Sequence, residues 1–500
     1  MKRRDFVKLS GAAAASAFVI PPVLQGCMDN MSSGMNMGAN VVGVKEGAFS
    51  SPLSFPSVMT SNLSLNAKAN TATLVNNQTT SVLGYSGGIL GPTFKADKGS
   101  PISIPFQNNL SEETNVHWHG LVVPSNMDGH PKNVISSGGA PFNFNFVLNQ
   151  RAGTYWYHPH PHGKTARQVF MGLAGLFIVN DDEEKALNLP SGDQELLLVI
   201  QDKRFMGGQL DYSPTMNEIM TGYTGEYVLV NGIYAPFQNV ATRYYRLRIL
   251  NGSTARVYNL ALSDNQSFQI IGADGGLLAQ PAAVTSLLLG PGERADIIMN
   301  FKDYPAGKEF YLTNRTFNGG AQGQQEFKIM KFVVSQQVTE AFTVPSQLSA
   351  IQPLSAASAS KTRIMRIKGM MEGMSGNMGG NTGGNMGSGM HTINDKVYDL
   401  NRIDESVQAG ATEIWEFDNS TGGEIHPMHI HGVQFQVIER SGGRGSLIAT
   451  EKGWKDTVLV MPYEKVKVIM TFPQEKGVFV FHCHNLEHED DGMMLNFEII

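Results

Sequence analysis

A chain of 500 residues exceeds what one hydrophobic core supports, so several domains are expected. Charged residues make up only 16% and the formal net charge is −6, which excludes the basic footprint of a nucleic-acid binder or of a protein held electrostatically on anionic lipid. Glycine is abundant at 54 residues, and many short apolar runs are punctuated by turn signals, which favours an all-β chain over a helical one.

From the N-terminus, Lys2-Arg3-Arg4-Asp5-Phe6-Val7-Lys8 precedes a mildly apolar, alanine-rich run from Leu9 to Val23. Together they resemble a twin-arginine export signal over residues 1–27, and the apolar run is too short to span a bilayer well. The resemblance implies the twin-arginine export machinery as a partner, passage of an already folded chain, and a periplasmic location. Leu24-Gln25-Gly26-Cys27 resembles a lipoprotein processing box, although Gln25 is unusual at its second position, so a lipid anchor through Cys27 and a simple leader both stand. Residues 28–44 read as a methionine-bearing linker with no means of building a core.

The first block, 45–185, carries runs with period-2 alternation at 101–106, 142–148 and 154–157, and closes with 173–179 before an acidic turn. The second, 190–340, opens with Glu195-Leu196-Leu197-Leu198-Val199-Ile200, continues through 244–250 and ends near 327–334. It holds neither histidine nor cysteine, as suits a structural domain. A Pro/Ser/Ala linker at 341–360 leads to the third block, 361–500, with strands expected at 413–417, 434–438, 466–472 and 478–482 and a Met-rich insert at 365–390. Three strand-built blocks of domain size predict three β-sandwiches.

The chain has two cysteines, Cys27 in the leader and Cys483 in the folded part, so no disulfide framework exists. A lone thiol in an exported protein is best explained as reactive or metal-bound, and here it reads as bound. His488 follows Cys483 after four intervening residues, and Met493 follows His488 after four more. Thiolate, imidazole and thioether are the soft donors that select copper and, joined by a second histidine, make a blue electron-transfer centre.

Eleven of the thirteen histidines fall in four clusters: His117-Trp118-His119; His158-Pro159-His160-Pro161-His162; His426-Pro427-Met428-His429-Ile430-His431; and His482-Cys483-His484 with His488. In a strand, residues i and i+2 face the same side about 7 Å apart at the backbone, so an H-x-H pair can straddle a metal pair or address two neighbouring metals. One such pair is commonplace on strands. Four of them beside a Cys-x4-His-x4-Met are not.

These motifs, in this order, resemble those of the multicopper oxidases over nearly all of the mature chain, with further matches at Tyr245-Arg246-Leu247-Arg248-Ile249-Leu250-Asn251 and Leu289-Gly290-Pro291-Gly292-Glu293-Arg294. The resemblance implies three cupredoxin-like Greek-key domains and four copper ions. Position by position, it implies a type 1 copper on His426, Cys483 and His488 with Met493 as weak axial ligand; Met494 is a rival that the spacing disfavours. It implies a type 2 copper on His117 and His429, and a type 3 pair on His119, His158, His160, His431, His482 and His484. Substrate electrons would enter singly at type 1 and pass through Cys483 to His482 or His484, where dioxygen is reduced to water. Asp128 and Glu489 match acidic positions near the cluster and are candidate proton donors; orienting a ligand imidazole is the alternative role. His162 stands one step past its pair with a role left open, and His130 and His391, in loop-like sequence, are expected to be solvent-exposed.

Residues 370–390 hold six methionines and eight glycines, a density that cannot hold a packed helix. Thioethers suit Cu(I), and the segment's place resembles the Met-rich insert of periplasmic copper-efflux oxidases. That implies Cu(I) as substrate, with Met365, Met370, Met371, Met374 and Glu424 as candidate substrate-copper ligands. This insert is more Gly-diluted than the family's, and Gly422 stands where the family places a ligand. A laccase-like oxidase of small phenols, or of Fe(II) or Mn(II), is the same-class alternative. A copper-binding or cell-division scaffold without turnover is the alternative of a different class. A monomer is expected.

Overall fold

The computed structural model describes residues 42–75, 77–369 and 391–500. The export signal, Cys27 and most of the first linker, together with Met370, Met371 and Met374, lie outside the described residues. None of the helices described is long and apolar enough to cross a membrane.

The described chain builds three β-sandwiches. In the first, a four-stranded sheet runs in the order Thr79–Tyr85, Leu65–Thr73, Pro101–Asn109, Phe142–Val147. It faces a five-stranded sheet ordered Val58–Met59, Thr93–Asp97, Gly175–Asn180, Gly153–His158, His117–His119. Alternation in sequence becomes alternation in burial. Ile102, Ile104 and Phe106 turn inward between exposed neighbours, opposite Phe144 and Phe146. Strand order does not follow chain order, and Gly175–Asn180 pairs in parallel with Thr93–Asp97, which requires crossover connections of the Greek-key kind.

The middle sandwich packs a six-stranded sheet on a seven-stranded one. The expected runs at 195–200, 244–250 and 327–334 are the strands Glu195–Lys203, Tyr244–Asn251 and Phe327–Gln336. One strand crosses the boundary drawn from sequence: Ser51–Pro52, placed there with the first block, pairs in parallel with Pro236–Ala241 and extends the middle sandwich's sheet. The third sandwich packs a six-stranded sheet on a five-stranded one ordered Glu405–Val407, Met494–Ile499, Gly477–Cys483, His426–Ile430, Thr457–Val460.

The middle sandwich joins the first through buried charge. Arg248 is 1% exposed and donates to Glu195 Oε1 at 2.7 Å, to Glu184 Oε1 at 2.6 Å and to Asp296 Oδ2 at 3.0 Å. Arg246 also reaches Asp296 at 2.6 Å, and Thr154 of the first sandwich donates to Asp296 at 2.7 Å. Burial would raise the pKa of Glu195, but Arg248 and Lys95 override it and bring it down to about 2.

Candidate metal centres

The strand period decides which way each cluster points. On His117–His119 the two imidazoles share one side, while Trp118 turns the other way into the first sandwich's core, among Phe94, Phe144, Phe146 and Phe177. On Gly477–Cys483 the same alternation sends Cys483 into the third sandwich's core beside Met428 and Met493, and sends His482 to the opposite side. Neighbouring strands hold these residues in register, His117 opposite His158, and His429 opposite His482.

His426, Cys483 and His488 form one donor set. Cys483 Sγ lies 3.5 Å from His426 Nδ1 and 3.6 Å from His488 Nδ1, and the two nitrogens are 3.3 Å apart. Bonds of about 2.0–2.3 Å from nitrogen and sulfur to a d-block ion, arranged in a trigonal plane, put the donors about 3.5–3.8 Å from one another. The set fits such an ion. Met493 is fully buried in the same core as Cys483, to which it is tied by the bond from Cys483 N–H to Met493 O at 3.0 Å. Met494 packs elsewhere, with Val480 and Tyr398.

The other eight clustered histidines of the expected set meet between the first and third sandwiches. His117 Nε2 lies 3.4 Å from His429 Nε2, and His119 Nδ1 lies 3.4 Å from His158 Nε2. His482 Nε2 lies 3.1 Å from both His160 Nε2 and His431 Nε2. The ring of His484 completes the group, 4.9 Å from that of His119 and 5.3 Å from that of His158. Both nitrogens of His484 are buried without a hydrogen-bond partner among the described residues. Such groups cost about 1–3 kcal/mol each unless something ligates them. Burial and mutual repulsion hold the pKa of His117, His119, His160, His431 and His484 well below the usual imidazole value. His158 and His429 fall to about 3, burial being the main cause. Neutral imidazoles are what a metal binds.

Both candidate proton donors touch these rings. Asp128 Oδ2 accepts from His431 Nδ1 at 2.7 Å, and burial pushes its carboxyl pKa well above the ordinary range. Glu489 places Oε2 3.1 Å from His482 Nδ1 and Oε1 3.4 Å from His160 Nδ1.

Three expectations are corrected. His391 is fully buried, not exposed: its ring stacks on that of His488 at 4.0 Å and 19°, and its Nδ1 bonds Asp491 at 2.9 Å. Burial alone would depress its pKa, but Asp491 and Glu424 outweigh that and bring it up to about 9. His130 is also buried, its Nε2 bonded to Asn496 Oδ1 at 2.9 Å, and burial lowers its pKa to about 4. Met365 is no loop ligand; it sits on the strand Lys361–Lys368, 0% exposed in the third core. His162 is exposed, with its ring 5.0 Å from that of Tyr398. Glu424 keeps its candidacy, with Oε2 3.5 Å from His391 Nε2 and 3.9 Å from His426 Nε2 and no hydrogen bond among the described residues. Beside it a cavity of about 90 Å³ is lined by Glu424, Ile425, His488, Asn485 and Gln322.

Sequence reasoning also missed Met220, whose carbonyl takes His488 Nε2–H at 2.8 Å, and Asp456 with Thr457, which flank the histidine group. No local pattern marks any of them.

Three family profiles, each described as multicopper oxidase, match residues 66–184, 202–334 and 374–500. The chain is 36% identical over 438 residues to a multicopper oxidase of Staphylococcus haemolyticus (strain JCSC1435), covering 87% of each. It is 31% identical over 478 residues to a laccase of Bacillus subtilis (strain 168), covering 84% of this chain and 90% of that one. Among solved structures, a multicopper oxidase from Campylobacter jejuni described as a metallo-oxidase superposes with a TM-score of 0.78 at 30% identity, covering 93% of this chain and 99% of that one.

Proposed function

The chain belongs to the multicopper oxidase family, and from that premise we propose that it oxidises Cu(I) to Cu(II) with dioxygen as acceptor, in copper tolerance. Bound copper supplies one-electron redox chemistry, by which four electrons and four protons convert one dioxygen to two waters. His426, Cys483 and His488 would hold the type 1 ion, with Met493 as a further, weaker donor. His117 and His429 would hold type 2; His119, His158 and His484 one type 3 ion; and His160, His431 and His482 the other. The main chain joins Cys483 directly to His482 and His484, so a ligand of one centre is covalently continuous with ligands of the other.

One observation carries the substrate. Ile367 and Lys368 pair antiparallel with Ile393 and Thr392, so the two flanks of the Met-rich segment are held side by side. Both its flanks meet at Glu424: a Cβ on Gly369 would lie 2.4 Å from Glu424 Oε2, and His391 lies against the same oxygen and against His488. Glu424 is thus a carboxylate paired with His391, placed between the type 1 imidazoles and the ends of a thioether-rich segment, and the thioethers are donors suited to capturing Cu(I). The adjoining cavity of about 90 Å³ admits an ion; organic ligands usually occupy about 300–1,000 Å³. Phenol oxidation is the competing reading, favoured by the likeness to a laccase. Deleting 370–390 separates them. Cu(I) oxidation is expected to fall about tenfold or more, about 1.4 kcal/mol in barrier, with phenol oxidation kept or raised. Equal effects on both activities would remove the argument.

Asp128 and Glu489 complete the proposal as proton donors at the rings of His431, His160 and His482. A donor must be protonated, so activity should fall as pH rises through the raised pKa of Asp128. Asp128→Asn is expected to slow oxygen reduction about 100-fold and to erase that alkaline limb. If the rate falls and the profile keeps its shape, Asp128 only orients His431. Export to the periplasm by the twin-arginine route, with attachment through Cys27, is supported by the leader sequence alone.

A further inference from the structure

The middle sandwich holds no histidine or cysteine, yet one of its side chains reaches the histidine group through a single intermediary. Five rings of that group share one arrangement, with Nδ1 bonded outward and Nε2 turned inward. The Nδ1 atoms of His117, His158, His429 and His482 meet the backbone carbonyls of Asp128, Pro159, Asp456 and Cys483 at 2.8, 2.8, 2.8 and 3.0 Å, and that of His431 meets the Asp128 carboxylate. His119 is reversed. Its Nδ1 faces His158, and its Nε2 points outward to Asp456 Oδ1 and Thr457 Oγ1, each at 3.0 Å.

We infer that Arg294 and Asp456 are a positioning pair through which the middle domain fixes the reversed ring of His119 and so controls copper loading of the trinuclear centre. Asp456 accepts the Nε2 proton of His119, which leaves the Nδ1 lone pair free to face inward. Its backbone oxygen meanwhile holds His429, whose ring stacks on that of His119 at 3.7 Å and 10°. One residue therefore sets two rings, with its side chain and its main chain.

A fully buried carboxylate at this place needs a partner of opposite charge. Arg294 supplies it in bidentate form, Nη1 to Oδ1 at 2.7 Å and Nη2 to Oδ2 at 2.6 Å. The rest of the guanidinium is held by the carbonyls of Thr154, Gly292 and Asp274 at 2.9, 3.0 and 3.0 Å. The pair thus ties all three sandwiches together at one ligand. Gly120, next to His119 at φ +87°, keeps the space for it: a Cβ there would fall 2.4 Å from Asp456 Oδ2 and 2.7 Å from Arg294 Nη2.

The test is made on the full chain reconstituted with copper, comparing the unsubstituted protein with Asp456→Asn, Arg294→Lys and Thr457→Val. Copper per chain, the type 1 and type 2 paramagnetic resonance signals, the near-ultraviolet band of the coupled pair and the melting temperature are recorded for each. Asp456→Asn is expected to weaken copper binding at the trinuclear centre about 10–100-fold, as loss of an orienting partner of a ligand does, with the type 1 signal at full strength. Arg294→Lys and Thr457→Val, which keep charge and volume respectively, should show smaller losses at the same ions, and they decide the point if Asp456→Asn does not fold. A full copper complement with unchanged type 2 and near-ultraviolet signatures, whatever the melting temperature, would make the pair a mere tie between domains and overturn the inference. The inference rests on the copper reading of the histidine group; were that reading wrong, the unsubstituted protein would lack these signals too.

Discussion

Cys483→Ser is expected to abolish the intense blue thiolate-to-copper band and to cut turnover by about three orders of magnitude, about 4 kcal/mol in barrier. A hydroxyl does not ionise as a thiol does and is a hard donor, so the remaining His426 and His488 form a much poorer copper site. The fold should tolerate the change, because the smaller hydroxyl fits the volume of a side chain that is 0% exposed among Met428, Phe481 and Met493. His482, on the opposite side of that strand, keeps its bonds to the Cys483 carbonyl and to Glu489, so copper at the other centre should persist. Absorption and copper analysis on one sample decide the matter. A variant that stays blue, or that turns over at the original rate, would remove Cys483 from the role assigned to it.

The second large effect lies away from both centres. Arg248→Met would leave Glu184, Glu195 and Asp296 in the interior with Arg246 paired to Glu184 and Asp296 and only Lys95 left on Glu195. Removing one partner from a buried ion network typically costs about 3–5 kcal/mol. The pH dependence follows from Glu195, whose folded pKa of about 2 lies below its ordinary 4.5. A carboxylate depressed in this way stabilises the fold fully above pH 4.5 and loses that contribution as pH falls towards 2, a difference of order 3 kcal/mol. In Arg248→Met the depression shrinks, so the penalty should be largest at neutral pH and smaller in acid. Urea unfolding of the copper-free chain at several pH values measures it. A penalty independent of pH would show that packing, not charge, was lost.

The all-β sandwich architecture was legible because alternation is local, and its cupredoxin-like character because the histidine motifs resemble those of a known family. Ile102, Ile104 and Phe106 already mark one face of a strand, and the H-x-H pairs carry their shared side in their spacing. What escaped is set by contacts between distant segments. Asp456 and Arg294 are 162 residues apart, and nothing near either announces the other. His391 reads as loop because its surroundings are glycine and polar residues; its burial comes from Asp491 and His488, which arrive from another part of the chain. Met365 errs in the opposite direction: it borders a Met-rich segment, but the strand period turns it into the core. The division between ligand and core methionine depends on which face of a strand each occupies, which composition does not encode.

The hairpin at Lys368 and Thr392 has a consequence for how such an enzyme can change. Since the ladder holds both ends of the intervening segment side by side, closing that loop costs little more as it lengthens, about 0.6 kcal/mol for each doubling. Residues can be added or lost between those two ends at small entropic cost. On the proposed reading, the segment that would set substrate preference is free to vary in length, while the histidine group stays under the strict packing rules of the core.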